Sequence, residues 1–483
     1  MSDLPDRSRM SRRKFVVSAA AGSAAAVAGA CTPERVGTPT TGVSTTTSVP
    51  VPTSVPVPTS GLVPTSGPLP TNGVSLSFAA GARDDADAFM GGTELRVLTE
   101  HAGALFAGIE TWMDRPGSDP VIGAQILRLD SSEGAWVLDH HFDEDLPRGS
   151  GRRSTKRNEG VTALRSVTFN VGADGSRLPT SVPVLLAACR DFLGKASVYQ
   201  RDPAGGFAEH LLADVRGKAT VRSFGFHRDQ VTGVERAFAG TLPTGIFSGA
   251  YQPGKGLVWD SEPELPSPSA GRPMAFAECD GALHVAIAPA IWRRVDGAAP
   301  RWEQVAEYPF VVTTGGSSGM RGLTSIIGPD GNPALLAGLE GAKCKMVRFE
   351  PANDYRQVTE IDVIDDLSTQ LGREVKYAIA ANNTITALNA TGRKPEHLIS
   401  IQIHPVPDAN ANYYVRDATG RYTLKTLPNT SVTPPHTLGT TRTFSVSPFP
   451  SDARQVVFVG GYDADNNPSH NTAWVARSTL NLI

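Results

Sequence analysis

At intervals of about 50–65 residues the chain returns to one short pattern, a glycine followed by a basic residue that opens a β-like run. Arg165 opens RSVTF, Arg222 RSFGF, Arg272 RPMAF, Arg321 RGLTS and Arg442 RTFSV; Arg96 in RVLTE and Lys376 in KYAIA complete seven copies. A unit of this length made of strands cannot bury both its faces alone and must stack on its neighbours. The pattern therefore predicts an all-β chain, a seven-bladed β-propeller with four-stranded antiparallel blades.

A second repeated element places the outer strands. Arg128 to Trp136 reads RLDSSEGAW, an arginine, an acid, a glycine-containing turn and an aromatic; versions end at Phe207, Trp302, Tyr355 and Tyr422. Turn residues supply the bend of a hairpin, and the aromatic opens the outer strand and packs between neighbouring sheets. Between the two elements lie short runs of small apolar residues, starting at Leu105, Val184, Leu283, Leu335, His397 and Val456. They are too short for helices and are expected to be second strands buried on both faces. The last unit ends one strand early, whereas Val74 to Phe78 alternates apolar with polar before the first complete unit. This segment is expected to pair with the C-terminal strands as the fourth strand of the seventh blade, because an open edge invites aggregation.

The N-terminal region reads as an address. Ser11-Arg12-Arg13-Lys14-Phe15 before an Ala/Gly stretch resembles a twin-arginine export signal, and Cys31 after Ala28-Gly29-Ala30 resembles a bacterial lipobox. Residues 1–31 are thus expected to be a signal peptide with lipidation at Cys31, giving an outward-facing membrane lipoprotein, or a secreted protein where ordinary signal peptidase cuts. Residues 32–73 are rich in Thr, Pro, Ser and Val with almost no charge, the composition of an extended disordered stalk. Residues 74–483 are expected to form the propeller.

The formal net charge is −3, so composition points to no nucleic-acid partner. Beyond Cys31 only Cys189, Cys279 and Cys344 occur, each in a different repeat, and they read as small buried apolar residues. No Walker, dinucleotide, G-x-S-x-G or H-E-x-x-H pattern is present, and no cofactor is expected. His140 and His141, as strand neighbours, point to opposite faces and are poorly placed to share a metal. Asp463 to Asn467 has a calcium-loop flavour, but Pro468 stands where a glycine is needed, and no metal site is expected.

The hairpins and repeat length resemble the kelch-like and Asp-box (sialidase-type) propellers, although the kelch double glycine is absent from most second strands and the Asp-box is degraded. The resemblance implies the fold; propellers of this kind host lectins, lyases and hydrolases alike.

Propeller topology puts the opening basic residues, Arg96, Arg165, Arg222, Arg272, Arg321, Lys376 and Arg442, around the mouth of the central channel. Crowded guanidinium groups need carboxylates, carbonyls or a bound anion. They are therefore either structural ties between blades or a ring that faces an anionic ligand. Loops after the second strands are expected to bring Glu110, Trp112, Asp191, Glu340, His404, Tyr462 and Asp463 to the same face, beside Arg148, Arg152, Arg153, Lys156 and Arg157. Trp112 or Tyr462 would stack on a sugar ring. Two functions follow: a monomeric binding module for an envelope or extracellular glycan or protein, touching the membrane through its lipid alone; or a lyase or glycoside hydrolase acting on an acidic glycan. In the second case Tyr462, His404 or the pair Glu110 and Glu340 would move the proton.

Overall fold

The computed structural model describes residues 74–113, 122–147, 156–215, 219–267, 271–309, 319–388, 395–404, 410–427, 437–452, 456–463 and 471–479. The signal peptide, Cys31, the stalk and the arginines at 148, 152 and 153 lie outside them, as does the 465–467 segment. No helix among the described residues is long and apolar enough to cross a membrane.

The strand pairings resolve into seven antiparallel four-stranded units, here blades 1 to 7, spanning residues 94–141, 158–214, 220–259, 273–307, 319–362, 377–427 and 440–479. Within blades 1 to 6 the strands follow chain order from the innermost outward; blade 7 has three strands in that order, its fourth coming from Val74–Ala79. The innermost strands are Glu94–His101, Asn158–Val171, Thr220–Arg228, Pro273–Cys279, Gly319–Ile327, Tyr377–Leu388 and Thr440–Val446. Each touches the next in order, and that of blade 7 touches that of blade 1, so the ring is closed.

Closure is covalently split, as expected. Val74–Ala79 pairs with Ala473–Thr479 and supplies the outermost strand of blade 7. Val74 and Phe78 are buried, and Trp474 sits fully buried beneath with its indole N–H bonded to the Leu438 carbonyl at 2.6 Å. The second strands are buried on both faces, since each is sandwiched between blades; Leu185, Leu186 and Ala187 are all wholly inaccessible.

The hairpins also fall where they are expected, between third and outer strands. Trp136, Trp302 and Tyr355 are buried, and Phe207 and Tyr422 open outer strands. The three described cysteines are buried and free. Among the described residues one α-helix, Val363–Leu371, joins blade 5 to blade 6; Asp362 caps its N-terminus and Gly372, at φ 63°, ends it.

Every innermost strand carries a β-bulge near its start. In five blades a single residue is inserted against the second strand: Arg96 in blade 1, Arg222 in blade 3, Met274 in blade 4, Arg321 in blade 5 and Arg442 in blade 7. Blade 2 has Thr162 at this position, among three register shifts, and in blade 6 residues 381–384 face the single Ser400. A bulge re-aims its residue and sharpens the local twist. It therefore defines one layer of equivalent side chains around the channel mouth.

This layer corrects the sequence alignment of the seven basic residues. Arg96, Arg222, Arg321 and Arg442 are equivalent. Arg165 lies three residues past the bulge of its strand, Arg272 two residues before, and Lys376 ahead of its strand altogether. Lys376 is exposed and lies 3.6 Å from Glu374. One strand residue of offset changes the face a side chain takes, and the sequence pattern alone could not register the bulges.

Candidate functional site at the channel mouth

Three of the four bulge arginines are matched by glutamates. Glu110 ends the second strand of blade 1 and pairs with Arg96; Glu340, near the end of the second strand of blade 5, takes Arg321 through two guanidinium nitrogens. Both glutamates stand opposite the residue two before the arginine, Glu94 and Gly319 respectively, and both also bridge to the next blade. In blade 7 that place belongs to Tyr462, and Arg442 turns instead to Glu94 of blade 1. All six of these arginines and glutamates are buried or nearly so. Burial works against their charges, but beside Arg96 the Glu110 carboxyl is held below its ordinary value.

Blade 3 breaks the pattern. Leu242 stands opposite Thr220, where blades 1 and 5 place a carboxylate. The Arg222 Nε is buried with no hydrogen-bond partner, and no carboxylate lies within ion-pair distance of Arg222 among the described residues. Burial, then repulsion from Arg96, pushes its pKa down to about 9. The guanidinium therefore stays charged at neutral pH in a place where the charge is poorly compensated.

Around it lie Arg272, whose nearest carboxylate is Glu340 at 3.5 Å, and Glu159 at the start of blade 2. Glu159 touches Arg190 at 2.5 Å. Burial raises its pKa to about 7; Arg190 opposes the shift and Glu110 adds to it. Sequence reasoning missed both Glu159 and Arg190. Arg190 lies one residue from Asp191 and Glu159 two from Arg157, both singled out for another reason, and which neighbour faces the channel depends on the bulge.

Below the mouth the inner strands enclose a cavity of 510 Å³, lined by Arg96, Arg165, Thr162, Arg222, Glu278 and Thr384 among others. This is in the range of small-ligand pockets.

The remaining candidates from the sequence separate cleanly by position. Trp112 is 43% exposed and donates its indole N–H to Glu94, so its ring is available at the rim. Tyr462 is 1% exposed, which removes it as a stacking platform or proton carrier. His404 is half-buried, with its Nε2 2.7 Å from the Gln402 side-chain nitrogen, and burial lowers its pKa. Glu340 is committed to Arg321, Arg272 and the Tyr377 hydroxyl, and is not available as a catalytic base. Asp191 belongs to a separate structural cluster: Arg157 binds it at 2.7 Å together with Glu144 and Glu209, while Lys156 pairs with Asp143 and Asp145.

No family model and no curated protein matches the chain. Among solved structures it is similar to the extracellular domain of a one-component system from B. thetaiotaomicron, at 9% identity and TM-score 0.45, over 84% of this chain and 40% of that one. The chain thus spans well under half the length of that relative. It is similar also to the Penicillium chrysogenum α-L-arabinanase in complex with arabinobiose, at 11% identity and TM-score 0.42 over 87% of this chain and all (100%) of that one. A third is the Fusarium graminearum α-L-arabinofuranosidase, at 8% identity and TM-score 0.41 over 85% and 98%. These are likenesses of shape.

Proposed function

We propose that the channel mouth binds a glycan that carries carboxylate groups. One observation carries this: Arg222 is a charged, partly buried guanidinium that lacks the glutamate supplied to its equivalents, above a cavity of small-ligand size. A carboxylate would complete the pattern that Glu110 and Glu340 complete elsewhere. The exposed ring of Trp112 gives the rim a surface for a sugar face. Titration calorimetry with uronic-acid oligosaccharides tests this reading. Binding that weakens about 10–100-fold in Arg222→Met supports it, since a charged hydrogen bond contributes roughly 1.5–3 kcal/mol. Unchanged binding in that variant refutes it.

Glu159 favours a second reading, turnover of the bound glycan. A carboxyl held near neutrality beside an ionised one, Glu110, is how a single site separates a proton donor from an anion. Glu110 is shut behind Arg96, so Glu159 alone would move the proton. Release of reducing ends or unsaturated products, abolished in Glu159→Gln with binding retained, would establish it. Arabinose-containing substrates belong in the same assay, since the Penicillium and Fusarium proteins are named for them.

The export signal, lipid at Cys31 and stalk would present this head outside the cell membrane. Fatty-acid labelling lost in Cys31→Ala supports the anchor, and labelling that survives refutes it.

A further inference from the structure

Four charged residues line the central cavity: Arg96, Arg165, Arg222 and Glu278. Two of them have partners outside it. Arg96 has Glu110, and Glu278 lies 2.6 Å from the His227 Nδ1. The other two, Arg222 and Arg165, have no carboxylate within ion-pair distance among the described residues, and Glu278 acts on Arg165 from farther off. Arg165 gives one N–H to the Phe224 carbonyl at 3.1 Å and is otherwise exposed to the channel.

Their levels differ. Arg222 sits in the bulge layer with Thr162, and Arg165 follows Thr162 by three residues along the same strand. At the rise of a β-strand this is about 10 Å of depth. Between the two levels the wall is apolar at Ala163, Phe224 and Ala275, with the Thr384 hydroxyl buried and without a partner. The inner strands form a closed ring, so the shaft has no open side along which a polymer could lie.

We infer that the channel takes an acidic glycan by its chain end, with Arg222 holding one carboxylate at the mouth and Arg165 a second about 10 Å deeper. This rests on the acidic-glycan reading of the mouth. The recognised unit is then a terminal run of a few sugars bearing carboxylates, not a stretch in mid-chain.

The experiment is calorimetry with galacturonate, its dimer, trimer and hexamer, and a hexamer blocked with bulky groups at both ends. Affinity is expected to rise by at least about tenfold from monomer to trimer and then to level off, while the blocked hexamer fails to bind. Arg165→Met should flatten the gain from added sugars and leave the monomer unaffected, and Arg165→Lys should restore part of it. Equal binding of blocked and free hexamer, or a length dependence untouched by Arg165→Met, overturns end-on entry while leaving the mouth site standing. No binding of any of these ligands by the wild-type protein overturns the acidic-glycan reading itself.

Discussion

Arg416, on the third strand of blade 6, donates two hydrogen bonds to Glu360 on the outer strand of blade 5, at 2.7 Å from Nε and 2.9 Å from Nη2. Glu360 also takes Arg348 of its own blade at 2.6 Å and the Tyr422 hydroxyl at 2.7 Å. The same device recurs where Asp139 of blade 1 takes Arg128 and, from blade 2, Arg201. Arg201 and Arg416, which open turn hairpins, are thus ties between blades, while Arg128 and Arg348 hold the shared carboxylate from within its own blade. At the channel mouth that role is shared out: Arg96, Arg321 and Arg442 are held by glutamates, and Arg222 is not.

This division predicts opposite outcomes for two replacements. Glu360→Leu strands the almost wholly buried guanidinium of Arg416, while Arg348 keeps Glu350, and should lower stability by about 3–5 kcal/mol in a urea melt. Arg222→Met removes a charge that is not compensated and keeps the stem that packs, so its effect should stay within about 1 kcal/mol. A large stability loss in Arg222→Met would make it a structural tie like the others.

Leu242 offers the reverse test. Leu242→Glu puts a carboxylate where Glu110 and Glu340 stand in their blades, opposite Thr220. The new glutamate should pair with Arg222 and compete with any anionic ligand, weakening uronate binding about tenfold or more without unfolding the ring. Calorimetry of this variant beside its melting curve reads both effects.

The mouth should also be pH-dependent. Glu159 is neutral below about 7, and above that it adds a negative charge facing Arg190, Arg222, Arg96 and Glu110. Affinity for an anion is therefore higher below about 7 and falls as pH rises through that value. Glu159→Gln should erase this step. Because the folded value of Glu159 lies above its ordinary 4.5, its contribution to stability is present below that value and is lost as pH rises towards 7.

A separate titration marks the joint between blades 3 and 4. His227 lies between Glu278 at 2.6 Å and Asp296 at 2.9 Å, beside Arg294, which binds Asp229, Glu264 and Asp296. Burial opposes protonation of the imidazole, but the two carboxylates outweigh it and raise its pKa above 6.5. The stabilisation is therefore complete below 6.5 and disappears as pH rises through the raised value. Melting temperature should fall over that interval, and His227→Gln should flatten the dependence.

Ring closure can be tested by deleting Val74–Ala79. The outer edge of Ala473–Thr479 and the buried Trp474 would be uncovered, giving a protein that aggregates on size-exclusion chromatography. A monomeric, fully stable deletion would show that the seventh blade closes without it.

The all-β class, the seven units, the hairpins ending at Trp136, Phe207, Trp302, Tyr355 and Tyr422, and the closing strand at Val74 are all legible in the order of residues alone. Each rests on local periodicity or turn chemistry, which a strand expresses wherever it sits. Which basic residues are equivalent, and which are free, depends on how the strands pack. The bulges at Arg96, Arg222, Arg321 and Arg442 shift register by one residue, and a pattern of period two cannot reveal such a shift. The absence of a partner for Arg222 is still less local, because it turns on Leu242 taking, about 20 residues later and across a strand pair, the place of a glutamate. The chain spells out the strands one at a time, whereas the charge at the mouth is a sum over seven of them meeting on one axis.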